Sequence, residues 1–277
     1  MYMAHHVLRI AAGSDIGRRR RTNEDSALAG PRLLAVADGM GGHPHGDVAS
    51  GTAIATLARL PLDGDLVAAL SAGVTEVAAR LDALARQDPD MAGMGTTLTA
   101  LAWDEPGHRF AVAHIGDSRA YVLRGGDLFQ LTRDHTMVQS LVDGGQLTYA
   151  EAARHPKGSM LVRALQSGGS AQPDLFWHDA LPGDRYLLCS DGVSGFLTPE
   201  AIRDALAEAA RPADGVVRLV GLANAAGGQD NITCVIADVA GPEAPAGPAQ
   251  EPLIVGAAAQ DGPGRLARFG RRLRGSH

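Results

Sequence analysis

Four aspartates share a local pattern. Asp38 ends the run LLAVAD and is followed by glycine. Asp117 ends AVAHIGD before a serine, and Asp191 ends YLLCSD before a glycine. Asp230 stands just ahead of the apolar run in GGQDNITCVIADV. An apolar run, then an acid, then a small or polar residue suits a buried strand that delivers a carboxylate at its tip. A single D-G pair is a common turn. In an antiparallel sheet, however, the end of one strand and the start of its neighbour share an edge, so all four acids can converge there. Like charges packed together are unfavourable without a cation. An oxygen-rich set of this kind suits Mg²⁺ or Mn²⁺, with water completing the coordination.

The glycines after Asp38, in DGMGGHPHGDVAS, raise a competing reading as a phosphate cradle. Spacing rejects it. A dinucleotide loop G-x-G-x-x-G would need glycine where Pro44 stands. A P-loop starting at Gly41 would need lysine and a hydroxyl where Asp47 and Val48 stand, and an anion there would repel phosphate. The glycines instead let backbone and ligands approach closely. A second polar cluster, SDIGRRRRTNEDS, joins four arginines to Glu24 and Asp25. The acids can enter a metal site or its water shell. An arginine can grip an anion, since its planar fork donates two parallel hydrogen bonds to phosphate.

Bulk properties narrow the classes. The chain has 277 residues, 45% of them hydrophobic and 20% charged, with a net charge of -6. That composition fits a globular domain and argues against a general nucleic-acid binder. Cys189 and Cys234 lie inside apolar runs and do not make a disulfide framework, which assigns a reducing cytoplasm. Neither begins a C-x5-R phosphatase loop, because Gly195 and Ala240 stand six residues on. MYMAHHVLRI lacks a signal-peptide layout, and no apolar run reaches the ~18 residues of a membrane span.

The elements that must position these residues follow from periodicity. Residues 7–14 and 32–37 read as strands, and 47–60 and 65–87 as helices, the second stopped at Asp88-Pro89. Residues 96–103, 109–115, 120–123 and 128–131 read as an antiparallel meander. Residues 134–166 read as a polar, partly helical excursion. A strand at 184–190, helices at 199–209 and 213–226, and a strand at 232–239 complete an α+β layered domain. From Gly241 the chain reads as Pro/Ala/Gly-rich linker or disordered tail. It ends in a basic run with Arg265, Arg268, Arg271, Arg272 and Arg274. That run is either a solvated tail or a weak contact with anionic lipid or an acidic partner.

Together these pieces resemble the metal-dependent Ser/Thr protein phosphatases of the PP2C (PPM) family in their bacterial form. The matching blocks keep the family's order: SDIGRRRRTNED, VADGMGGHPHGDVAS, MGTTLTAL, HIGDSRAY, LTRDHTMVQSLVDGGQLT, HPKGSMLVRAL, GDRYLLCSDGVSGFL and GGQDNITCVIADV. The resemblance implies a four-layer α-β-β-α sandwich over residues 1–240, made of two antiparallel sheets flanked by helix pairs, with a flap at about 134–166. It places two Mn²⁺ or Mg²⁺ ions at one edge. Asp38 would bridge them, the Gly39 carbonyl would bind one, Asp191 and Asp230 would complete the other, and Glu24 and Asp25 would hold metal-bound waters. In the pattern G-x-x-R-x-x-N-E-D the phosphate clamp is Arg20, not Arg18, Arg19 or Arg21. Asp117, with Asp191 and Ser159, would form a third metal site. The implied reaction is hydrolysis of phosphoserine and phosphothreonine by a metal-bridging water, opposing a bacterial Ser/Thr kinase, in a cytoplasmic monomer whose tail could also place it at the membrane periphery. The sequence departs from many eukaryotic relatives at Met40, where they carry a histidine proposed as general acid. His43, His45 and Lys157 read as turn, helix-start and exposed flap residues. The alternatives are an inactive binding module of the same fold, a stress-response phosphatase acting on an anti-anti-sigma protein, and an esterase for small phosphomonoesters.

Overall fold

The structure, a computed structural model, describes residues 7–40, 45–152, 155, 157–241 and 251–260. Strands β1 (Val7–Asp15), β2 (Asp25–Ala29) and β3 (Leu33–Asp38) lead into helices α1 (Gly46–Leu57) and α2 (Leu66–Gln87). Next come β4 (Gly95–Thr96), β5 (Leu98–Asp104), β6 (Arg109–Ile115), β7 (Arg119–Arg124) and β8 (Asp127–Gln130). The excursion carries α3 (Met137–Asp143), α4 (Tyr149–Ala152) and β9 (Leu165–Gln166). Then follow β10 (Asp174–Asp179), β11 (Arg185–Cys189), α5 (Asp191–Ser194), α6 (Pro199–Ala207), α7 (Pro212–Ala225), β12 (Ile232–Ala240), β13 (Leu253–Gly256) and α8 (Ala257–Gln260).

Two antiparallel sheets stack face to face. One runs β1-β12-β11-β7-β8, the other β10-β6-β5-β3-β2-β13. Alternation along β3 shows how one strand serves two layers. Leu34 and Val36 enter the core between the sheets, beside Phe110, Tyr186 and Val235. Leu33, Ala35 and Ala37 face the helix side, with Leu57, Leu70 and Val74 of α1 and α2. Successive side chains point to opposite faces, so a strand covered on both reads as a continuous apolar run. Each fully buried Leu or Val contributes about 1.5–3 kcal/mol. On the far side, Leu187, Ile236 and Cys234 pack against Ile202, Leu206 and Leu219 of α6 and α7. The outcome is the four-layer α-β-β-α sandwich.

Helix α2 illustrates the local rules. Asp65 caps it by accepting from the amides of Val67 and Ala68. Leu66, Leu70, Val74, Val77 and Leu81 bury one stripe. Pro89 disfavours helical backbone at Asp88 and stops it. Helix α1 is buried along most of its length and built from small residues, so it lies close to the sheet.

The structure corrects several sequence expectations. The meander is two hairpins on different sheets, because the chain crosses between them from Ile115 to Arg119. Residues 96–103 divide, with Gly95–Thr96 pairing with the short β9 instead. Strands β2 and β10 were not anticipated. Nor was β13, which lies within the stretch read as linker and tail. The five arginines of the basic run and His43 lie outside the described residues. No helix among the described residues is long and apolar enough to cross a membrane.

Candidate active site

Strand ends from both sheets meet at one edge of the sandwich, around a cavity of about 430 Å³. Arg20, Asp38, Gly39, Asp117, Ser159, Asp191 and Asp230 all line it. Asp38 ends β3, Asp117 sits in the crossover between the sheets, Asp191 opens α5 after β11, and Asp230 precedes β12. Glu24 and Asp25 lie behind this lining. Asp25 is paired across the β2–β3 ladder with Asp38 and is almost fully buried. Of the four consecutive arginines, Arg20 is the one lining the cavity, where its Nη2 donates to Asp230 Oδ2 at 2.8 Å. Arg18 does not line it, and its amide donates to Gly228 O.

The glycines after the aspartates have a steric role. A Cβ on Gly39 would stand 2.4 Å from Gly46 O, and one on Gly192 would stand 1.8 Å from Asn231 O. Backbone from another segment occupies the space a side chain would need, so each D-G seats its aspartate where two segments touch.

Burial and mutual repulsion raise the acids. Burial, followed by the facing carboxylates of Asp25, Asp191, Asp117 and Asp230, pushes Asp38 well above the usual carboxylate range. Burial raises Asp25 to about 7, against the pull of the Ser190 and Thr233 hydroxyls. Burial and Asp191 raise Asp117 to about 7. Asp191 rises to about 6, through burial and then Asp230. Burial also raises Glu24. A cluster that would otherwise bind protons is one that a divalent cation can neutralise. The donor set is all oxygen, which fits Mg²⁺ or Mn²⁺. Among the described residues, no three Asp, Glu, His or Cys side chains stand close enough together to hold a metal ion by themselves.

Several positioning residues were not singled out from the sequence. Asn231 Oδ1 accepts from the Glu24 amide, while its Nδ2 donates to Ile16 O and Thr22 O, pinning the arginine loop. Thr97 Oγ1 accepts from the Asp38 amide and donates to Ser118 Oγ, beside Asp117. Ser190 Oγ donates to Asp25 Oδ2 at 2.7 Å and accepts from Thr233 N. The signal was position: each lies next to, or pairs with, a strand-end acid.

The cavity's other wall is Ser159–Ala164 with Gln166. This segment is held at its base. Arg163 Nη1 donates to Asp174 Oδ1, and His135 Nε2 donates to Asp174 Oδ2. The Gly116 amide donates to His135 Nδ1, which fixes the ring as the neutral tautomer. Burial opposes ionisation of Asp174, but Arg163 and His135 hold its carboxyl below the usual range. Arg119 grips Asp134 through three hydrogen bonds at the start of the excursion. Met40 lines the cavity, while His45 opens α1 in the left-handed conformation and does not line it. Lys157 is exposed. Cys189 and Cys234 are buried, and burial raises both thiols, Cys189 to about 12, so neither is a nucleophile.

Comparison with known proteins identifies the family. The chain is 50% identical over 236 residues to the serine/threonine protein phosphatase PstP of Mycobacterium tuberculosis, covering 84% of this chain and 45% of that protein. It therefore spans about half the length of that relative. It is 35% identical over 239 residues to the protein phosphatase PhpP of Streptococcus pneumoniae, covering 83% of this chain and 96% of PhpP. The solved M. tuberculosis PstP/Ppp structure superposes with a TM-score of 0.80 at 49% identity, covering 84% of this chain and 99% of that one. The PstP catalytic domain in complex with 2 manganese ions gives 0.78 at 49% identity, covering 85% and 99%. Residues 18–224 match the family described as Protein phosphatase 2C, and the chain belongs to that family.

Proposed function

We propose that the protein is a metal-dependent protein phosphatase hydrolysing phosphoserine and phosphothreonine. One observation carries this reading: Asp38, Asp117, Asp191 and Asp230, from four separate segments, line one cavity together with Arg20. Such a set can hold divalent cations beside a phosphate-binding cation. The 2 manganese ions of the related PstP domain support two core ions here, with Mn²⁺ or Mg²⁺ as candidates. Asp38, Asp191, Asp230 and the Gly39 carbonyl would hold them, Glu24 and Asp25 would order their waters, and Asp117 with Ser159 would serve a third. When bound, the ions supply charge neutralisation and an activated water.

The chain's own residues do the rest. Arg20, already oriented by Asp230, grips the phosphate oxygens and neutralises charge that grows as the phosphoryl group transfers. The 159–164 wall shapes the approach of the phosphorylated side chain and shields it from bulk water. Met40 lines the cavity where many eukaryotic relatives carry a histidine, and in this reading water supplies the proton to the departing serine or threonine oxygen. The inactive-module alternative gains nothing from the site, because every acid expected there is present. The substrates would be phosphoproteins, including a Ser/Thr kinase, met in the cytoplasm by a monomer.

The test is hydrolysis of a phosphothreonine peptide with Mn²⁺, with Mg²⁺ and with EDTA, alongside Asp38→Ala. Turnover should require a divalent ion and vanish in the variant. A folded protein with intact acids and no turnover in either metal would overturn the proposal.

A further inference from the structure

We propose that residues 252–260, beyond the 18–224 match to the family, form a strap that positions strand β2 and thereby the acid pair Glu24–Asp25. Strand β13 pairs antiparallel with β2, Leu253 opposite Ala29 through Gly256 opposite Ser26. It closes the edge of a strand whose five residues are all buried. Without it, β2 would carry a row of buried backbone groups with no ladder partner. The strap is also wedged into both neighbouring layers. Val255 packs on the core between the sheets, and Ile254 and Ala258 pack on the core beneath α1 and α2.

The strap reaches the acids through an oriented chain of hydrogen bonds. The Ala258 amide donates to Ser26 Oγ at 3.0 Å. Ser26 and Ser50 hydroxyls are 3.0 Å apart. Ser50 Oγ donates to the Glu24 carbonyl at 2.5 Å, which commits its only proton. The Ser26 hydroxyl must therefore donate to Ser50, and the chain runs one way, from α8 to the peptide joining Glu24 to Asp25. The same Glu24 carbonyl accepts from the Gly39 amide, so the relay ends on the loop after Asp38. Gly256 shows how close the strap comes: at φ 80°, a Cβ there would stand 2.2 Å from Asp25 O. Ser26 is therefore a positioning residue, acting through Ser50 on the backbone that presents two acids.

The inference rests on the metal-phosphatase proposal only where metal is the readout, so the test has two arms. Full-length protein is compared with a chain ending at Gly241, with Gly256→Val, which expels the strap by collision with Asp25 O, and with Ser26→Ala. In the first arm, amide hydrogen exchange is followed on metal-free protein. Protection should fall in Asp25–Ala29 and stay unchanged in β11 and β12. In the second arm, the Mn²⁺ concentration for half-maximal turnover should rise roughly tenfold, as for loss of an outer support of a metal site, while kcat at saturating Mn²⁺ stays within about twofold. A peptide of sequence EPLIVGAAAQ added to the shortened chain should restore both. Unchanged exchange in β2 would overturn the strap. Loss of protection spread evenly over both sheets would also overturn it, by making the segment a general stabiliser. If the shortened chain does not fold, Gly256→Val and Ser26→Ala decide. If wild type shows no turnover, the function proposal fails while the exchange arm still judges the strap.

Discussion

Asp38 and Met160 line the same cavity, yet the chain holds them by different means. Leu34, Ala35, Val36 and Ala37, leading to Asp38, are fully buried, and β3 is paired on both sides. Met160 and Val162, on the flap wall, are 52% and 54% exposed. Val138 is the one residue of α3 that is buried. The floor is ladder and core. The wall is a loop fastened at its base by Arg163, Asp174, His135, Arg119 and Asp134. The floor's acids stand on paired strands or at their tips, and the groups past which a protein substrate must approach are put where opening costs little.

The largest effect should come from the floor. Asp38→Ala should cost about 10³-fold or more in kcat, roughly 4 kcal/mol of barrier. The metal-free variant should unfold at no lower temperature than wild type, since a carboxylate crowded by Asp25 and Asp191 has been removed. A calorimetric Tm several degrees lower would mean that Asp38 serves packing, erasing the contrast between floor and wall. Arg20→Ala should lower kcat/KM by about 10- to 100-fold, as expected for loss of a charged bidentate contact, with Arg18→Ala within about twofold. Equal losses would shift the clamp away from Arg20.

Acid should loosen the base of the wall. His114, on β6, stands with its ring 4.7 Å from that of His135; burial, then His135, pushes it down to about 3. Above the unfolded value near 6.5 both states are neutral and His114 contributes no pH dependence. Below it the unfolded chain takes a proton that the folded one refuses, so stability falls as pH falls, by about 1.4 kcal/mol per unit. In urea titrations the stability gap between wild type and His114→Asn should shrink by about 2 kcal/mol between pH 7 and pH 5. A constant gap would contradict the buried neutral ring. The smallest effect should come from Asp174→Ala, which unties Arg163 and His135 together. It should lower kcat/KM for a phosphopeptide by about threefold to tenfold, barely change p-nitrophenyl phosphate hydrolysis, and speed proteolysis within 137–160. Equal loss on both substrates would mean that the latch supports the floor as well.

Much of the floor was legible from the chain because its code is local. An apolar run closed by an acid and a small residue identifies strand, direction and delivered carboxylate together, as at Asp38 and Asp191. Strand β2 was not legible for the converse reason. DSALA is short and built from residues of weak strand preference; pairing with β3 and β13 makes it a strand. Strand β10 is an edge strand whose half-buried residues give no clean alternation. The latch at Asp174 escaped because Asp174 lies outside the blocks that contain His135 and Arg163, and only the fold brings the three together.

The sequence by itself determined which residues could do chemistry and where the strongly apolar strands that deliver Asp38 and Asp191 run, since both follow from side-chain type and local order. Tertiary structure decided the partners: that Asp25 lies opposite Asp38, that the chain changes sheets between Ile115 and Arg119, that Asn231 pins the arginine loop, and that β13 closes the edge of β2. A strand's pattern specifies its faces but not its neighbour. The neighbour is chosen by long-range pairing, where the gain from burying both faces outweighs the entropy of closing the loop between them.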